Sequence, residues 1–181
     1  MDAAKVNPTG RPLDIAVDGA ALIAYRGPAG DEVYSRRGDL RIAASGILEN
    51  GEGLPVLGNA GAITVPAGFE ISIAKDGSVL ARDPAAPDQP AQQLDRVKLV
   101  SPDGSLLAKG IDTFLKVPGG GVLPPDPTAT VTSGALEGSN VETAQTLIAM
   151  IEAQRAFEQR AKIISTASDI DEAGASLMTL R

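Results

Sequence analysis

All thirteen prolines of this chain lie at or before Pro127, and nineteen of its twenty glycines lie before residue 139. These two residue types punctuate a backbone more strongly than any others, because Pro fixes φ and removes a donor while Gly frees φ. The chain therefore has two regions with different physics. The first can only be built from short elements broken by turns. The second, residues 141–177, holds no Pro and one glycine, Gly174, so it is free to run as a single helix.

In the first region short apolar stretches alternate with turn residues. Leu13, Ile15 and Val17 share one face of a half-buried strand that ends at Asp18-Gly19. The pattern recurs at Val33-Tyr34, Leu40-Arg41-Ile42, Ile63-Thr64-Val65, Ile71-Ser72-Ile73, Val97-Lys98-Leu99-Val100 and Phe114-Leu115-Lys116-Val117. Between these stand Ser45-Gly46, Asn50-Gly51, Gly58-Asn59, Asp76-Gly77 and Asp103-Gly104, which tolerate the positive φ of tight hairpins. The prediction is a mainly β body over residues 1–127, antiparallel and barrel- or sandwich-like. Residues 83–93, with Pro84, Pro87 and Pro90, read as a surface loop. Residues 118–127, with Gly119, Gly120 and Gly121 before Pro124-Pro125-Asp126-Pro127, read as a linker that ends the body.

Residues 128–181 form a C-terminal segment with a long helix at about 139–179. Ser139 is placed to cap the first-turn N–H groups, and Glu142, three residues on, to reach back and close a capping box. Roughly 37 residues would run for about 55 Å, farther than so small a body can flank. Met150, Phe157 and Ile164 are spaced by seven, with Ala153 and Ala167 beside them. Leu147, Ile148 and Ile151 thicken the stripe near its start, and Ala161 and Ile163 continue it. Such a spacing keeps one seam toward a partner helix, and small Ala permits close approach. Burial by partner subunits is the expected fate of this stripe.

Composition removes several function classes. A net charge of −7 with no run of Lys or Arg excludes a nucleic-acid partner. The absence of Cys and His removes thiol catalysis, zinc thiolates and the commonest general base. No cofactor or metal is expected, and no apolar run long enough for membrane insertion or for a cleaved signal peptide is found. Asp18, Asp76 and Asp103 each precede Gly and are explained by turn geometry rather than by a glycosidase carboxylate pair. Arg37-Gly38-Asp39 spells an adhesion tripeptide but reads as turn structure, and the triple glycine lacks the Lys-Ser/Thr of a phosphate loop. The chain is expected not to be an enzyme.

Residues 135–180 carry Ala135-Leu136-Glu137-Gly138-Ser139-Asn140-Val141-Glu142, then Ile151-Glu152-Ala153-Gln154-Arg155-Ala156-Phe157-Glu158 and Ile164-Ser165-Thr166-Ala167. This resembles the C-terminal signature of bacterial flagellar rod and hook proteins. In the body, residues 9–17, Tyr34-Ser35-Arg36-Arg37-Gly38-Asp39, Pro55-Val56-Leu57-Gly58 and Ala74-Lys75-Asp76-Gly77 resemble segments of the same family in the same order. The tail Ser168-Asp169-Ile170-Asp171-Glu172-Ala173 is most similar to proximal-rod members, with distal-rod members second. The resemblance implies a structural subunit of the periplasmic rod, serving flagellum-dependent motility. It implies as partners other rod subunits and copies of the chain itself, and export by the flagellar type III apparatus. Family members carry a further N-terminal segment whose helix pairs with the C-terminal one. The C-terminal helix is thus expected to lack an intramolecular partner here. The rival reading from another class is a soluble β binding module on a helical oligomerisation stalk, which would require exposed aromatics among Tyr25, Tyr34, Phe69 and Phe114.

Overall fold

The computed structural model describes residues 5–110, 113–138 and 143–179, and helix side chains at 147–167 and 170. Fourteen short strands precede one helix: β1 (Val6–Pro8), β2 (Ile15–Val17), β3 (Leu22–Arg26), β4 (Glu32–Ser35), β5 (Leu40–Ile42), β6 (Leu48–Asn50), β7 (Glu70–Ile73), β8 (Ser78–Arg82), β9 (Gln92–Arg96), β10 (Leu99–Val100), β11 (Ala108–Lys109), β12 (Leu115–Lys116), β13 (Val131–Ser133), β14 (Ala135–Glu137) and α1 (Thr143–Thr179). The chain divides into the units Met1–Asn140 and Val141–Arg181. The body is a set of small antiparallel sheets, sandwich-like, without a closed barrel among the described residues. The largest has five strands in the order β10-β3-β4-β12-β11.

That sheet separates two cores, and the period of two along its strands does the sorting. On β3, Ile23 and Tyr25 enter the main core while Leu22 and Ala24 enter a smaller one. Register keeps neighbours on the same side. Tyr25 stands opposite Val33, and Ile23 opposite Leu99, in the main core; Ala24 stands opposite Tyr34, and Leu22 opposite Val100, in the smaller one. β7 and β8 close the main core with Ile71 opposite Ala81 and Ile73 opposite Val79.

Residues 118–127 differ from the expected linker. Leu123 is buried in the smaller core, its N–H donates to the Tyr34 hydroxyl at 2.8 Å, and the Asp126 N–H donates to the Leu99 carbonyl at 2.8 Å. The stretch is a strap, because its Leu and a Tyr hydroxyl give it both an apolar and a polar anchor. Past the expected boundary at 127, β13 pairs with β2 and β14 with β1, and their Val131 and Ala135 are buried. Ile63-Thr64-Val65 is not a strand; Thr64 makes a single bridge to Ile47. All of Ile15, Ala16 and Val17 are buried, so β2 is covered on both faces rather than one.

Turn chemistry operates in two ways. Gly19, Gly46, Gly77 and Gly104 adopt positive φ, as dipeptide signals predict. At Asn50-Gly51 the side chain acts instead: buried Asn50 accepts the N–H groups of Glu52 at 3.0 Å and Leu54 at 2.9 Å through Oδ1, and Gly53 takes the positive φ. α1 spans 37 residues. The expected cap residues Ser139 and Glu142 lie outside the described residues.

Candidate assembly surfaces

On α1, each large apolar side chain named from the sequence faces outward: Leu147, Ile148, Met150, Ile151, Phe157 and Ile164 are between 49% and 74% exposed. Ala153, Ala161 and Ala167 are exposed beside them. Each residue advances about 100° around a helix, so Met150, Ala153, Phe157, Ala161 and Ile164 form one seam. Ile163 and Ile170 stand roughly 100° away from Ile164 and line a shallow groove with Ala167, Gln159, Lys162 and Thr166. Ile170 escaped the seven-residue pattern, because it belongs to this second seam. Near the start Leu147, Ile148 and Ile151 open a third direction. One partner helix covers a single stripe, so no single helix could cover all three directions. Farther along the third direction the surface turns polar with Arg155, Glu158 and Lys162, and Gln154 donates to Glu158 at 3.1 Å.

Besides its pairing with β1, the last strand before α1 is held to the body by the Arg36 side chain. Arg36 Nε donates to Glu137 Oε2 at 2.6 Å, Nη1 to the carbonyls of Gly19 at 2.7 Å and Ala21 at 2.9 Å, and Nη2 to that of Val17 at 2.9 Å. Both partners of the ion pair are largely sheltered from water, so the bonds act at reduced dielectric. The sequence named Arg36 within a family segment but gave no signal for this reach across 101 positions to Glu137.

The Arg37-Gly38-Asp39 tripeptide is occupied with itself. Arg37 donates to both carboxylate oxygens of Asp39 at 2.6 and 2.8 Å and to Glu52 at 2.5 Å. Its carbonyl accepts the buried Tyr25 hydroxyl. A Cβ at Gly38 would drive into the Ile15 carbonyl, so glycine is required by close approach rather than by φ. The Arg37 guanidinium holds the Asp39 carboxyl below its ordinary value. Asp18 accepts hydrogen bonds from Thr130 and Thr132, 112 and 114 positions away, and Asp76 from Ser78 within its own turn, so both carboxylates are engaged in the fold. Tyr25, Tyr34 and Phe114 are buried and Phe69 partly so, leaving the body none of the exposed aromatics that a carbohydrate receptor would use.

Residues 132–177 match the family described as "Flagellar basal body rod FlgEFG protein C-terminal", and residues 16–81 match "Flagellar hook protein FlgE/F/G D1 domain". The flagellar basal-body rod protein FlgF of Escherichia coli K12 is 38% identical over 175 residues, covering 93% of this chain and 69% of that protein. FlgF of Salmonella typhimurium LT2 is 32% identical over 186 residues, covering 99% and 74%. The rod protein FlgG of Bacillus subtilis 168 is 34% identical over 175 residues, covering 90% and 64%.

Proposed function

Because the chain belongs to the flagellar basal-body rod protein family and is a structural subunit of the rod, most like FlgF, we propose that α1 is the element joining it to its neighbours. A structural family implies no catalytic role, and the site of action is the flagellar basal body. The observation that carries the proposal is the outward display of large apolar residues on a helix of 37 residues. Burying five of the side chains at Leu147, Ile148, Met150, Phe157 and Ile164 contributes on the order of 10 kcal/mol before ordering costs. An exposed pair of charges on the same helix contributes only about 0.3–0.5 kcal/mol, so hydrophobic docking decides where α1 goes.

Within the rod we place the chain in the proximal segment, in keeping with its likeness to FlgF over FlgG. Neighbouring rod subunits and further copies of the chain are its partners, and the flagellar type III apparatus its route of export. Freedom from Cys suits export as an unfolded chain, since no disulfide has to be avoided or undone. Sedimentation with and without residues 139–181, over a range of concentrations, tests the role of α1. Concentration-dependent association that vanishes with the helix is expected; association that survives its removal overturns the proposal.

A further inference from the structure

We infer that the body carries a socket for the loop between β8 and β9 of a second copy of this chain, a contact that rests on the rod-subunit reading and adds to what α1 supplies. A cleft of about 760 Å³ opens beside the β3–β4 hairpin, bordered by the turn at residues 58–61 and by the strap. Two ion pairs within it cancel, Lys98 with Glu32 at 2.7 Å and Lys116 with Asp31 at 3.1 Å. Arg26, also on the lining, is exposed and makes no ion pair among the described residues. The uncompensated charge of the cleft is therefore positive, in a chain of net charge −7. Gly30, Gly61 and Gly120 line it, and a Cβ at any of them would meet no neighbouring atom. The cleft is open where those side chains are absent.

The loop at residues 83–91 has complementary properties. Its only charges are Asp83 and Asp88. Two successive turns shape it, with the Ala86 N–H on the Asp83 carbonyl at 3.1 Å and the Gln89 N–H on the Ala86 carbonyl at 3.0 Å. Asp83 Oδ1 accepts the Ala85 N–H at 2.8 Å, and Pro84, Pro87 and Pro90 restrict φ between these bonds. Little ordering entropy is left to lose on docking. Asp88 is exposed and has no hydrogen-bond or ion partner among the described residues. A stiff acidic projection on the β7-β8-β9 sheet and a positive cleft on the five-stranded sheet are different surfaces. Their pairing is heterologous, and contacts of that kind propagate head to tail into open helical assemblies rather than closing a dimer.

The absence of Cys gives a clean test in the full chain. Asn59→Cys sits on the cleft and Gln89→Cys beside Asp88. Under mild oxidation the double variant is expected to give a ladder of covalent oligomers, and each single variant at most a dimer. Asp88→Lys, or Arg26→Glu, should cut ladder yield by about tenfold, and the two reversals together should restore it. A ladder indifferent to both reversals, or none from a chain that sediments as an oligomer, overturns the socket alone. A chain that sediments as a monomer at every concentration overturns the assembly reading and the socket with it.

Discussion

The body and α1 are opposite solutions to burying an aliphatic-rich chain. In the body, Tyr25, Tyr34, Ile15 and Leu22 have no surface left; on α1, Phe157 and Ile164 expose 70% or more. The body is satisfied by its own strands and strap. Among its described residues the helix has local hydrogen bonds while its large apolar side chains stay exposed, and such a helix draws its stability from whatever buries them. Apolar burial is thus complete in one region of the chain and left open in the described part of the other.

The sharpest way to break that comparison is to truncate one aromatic in each region. Tyr25→Ala removes a fully buried ring that meets Phe114 edge-on, with centroids 6.4 Å apart, and should cost about 3–5 kcal/mol in urea unfolding. Phe157→Ala should leave the body's unfolding midpoint unchanged while weakening association by about tenfold or more, as expected for one side chain lost from an interface. Equal shifts of the midpoint would show that α1 belongs to the body's own core. Next in size is Arg36→Ala, which strips Glu137 of a sheltered guanidinium and three carbonyls of their donor. A loss of about 3 kcal/mol is expected from the same denaturation measurement.

Tyrosine ionisation in alkali should act on the body alone, since both tyrosines lie there. Burial pushes the Tyr34 phenol up to about 12 from 10.0, with the Leu123 N–H opposing. A value raised in the folded state means the native protein holds that proton more tightly. Its stability is complete below the unfolded value and falls as pH rises from about 10 to about 12, by roughly 2 kcal/mol. Tyr34→Phe should make that limb of the stability curve shallower without abolishing it, because burial raises the Tyr25 phenol in the same direction; denaturant midpoints on either side of pH 10 measure this. Helix-driven association should show no matching break.

The division itself was legible because Gly and Pro set it without reference to packing, and the α1 stripe because it follows a helical period. Several body strands were harder. β8 and β9 carry Ser78, Arg82, Gln92 and Gln93, so their apolar alternation is weak, and pairing with neighbours makes them strands. The strap reads as a linker because Gly and Pro dominate it; buried Leu123, its bond to Tyr34, 89 positions away, and the Asp126 N–H on the Leu99 carbonyl make it part of the body. The Arg36–Glu137 clamp was unreadable for the same reason. Long-range pairs leave no local period.

The smallest effect separates the two regions by their charges. Arg37 holds Asp39 below its ordinary carboxyl range, chiefly through the hydrogen bond between them. Since the folded value is depressed, the pair's contribution is present above the unfolded carboxyl value and lost as pH falls through the folded one. Arg37 is 43% exposed, so solvent screening limits the gain to about 0.2–1 kcal/mol. Asp39→Asn should therefore lower the urea midpoint slightly at neutral pH and reduce its decline in acid. The same exchange at Glu158, whose neighbour is Gln154 on α1 itself, should leave body unfolding unmoved at every pH. A body that responded equally to both would mean that the helix carboxylate is part of its folded structure.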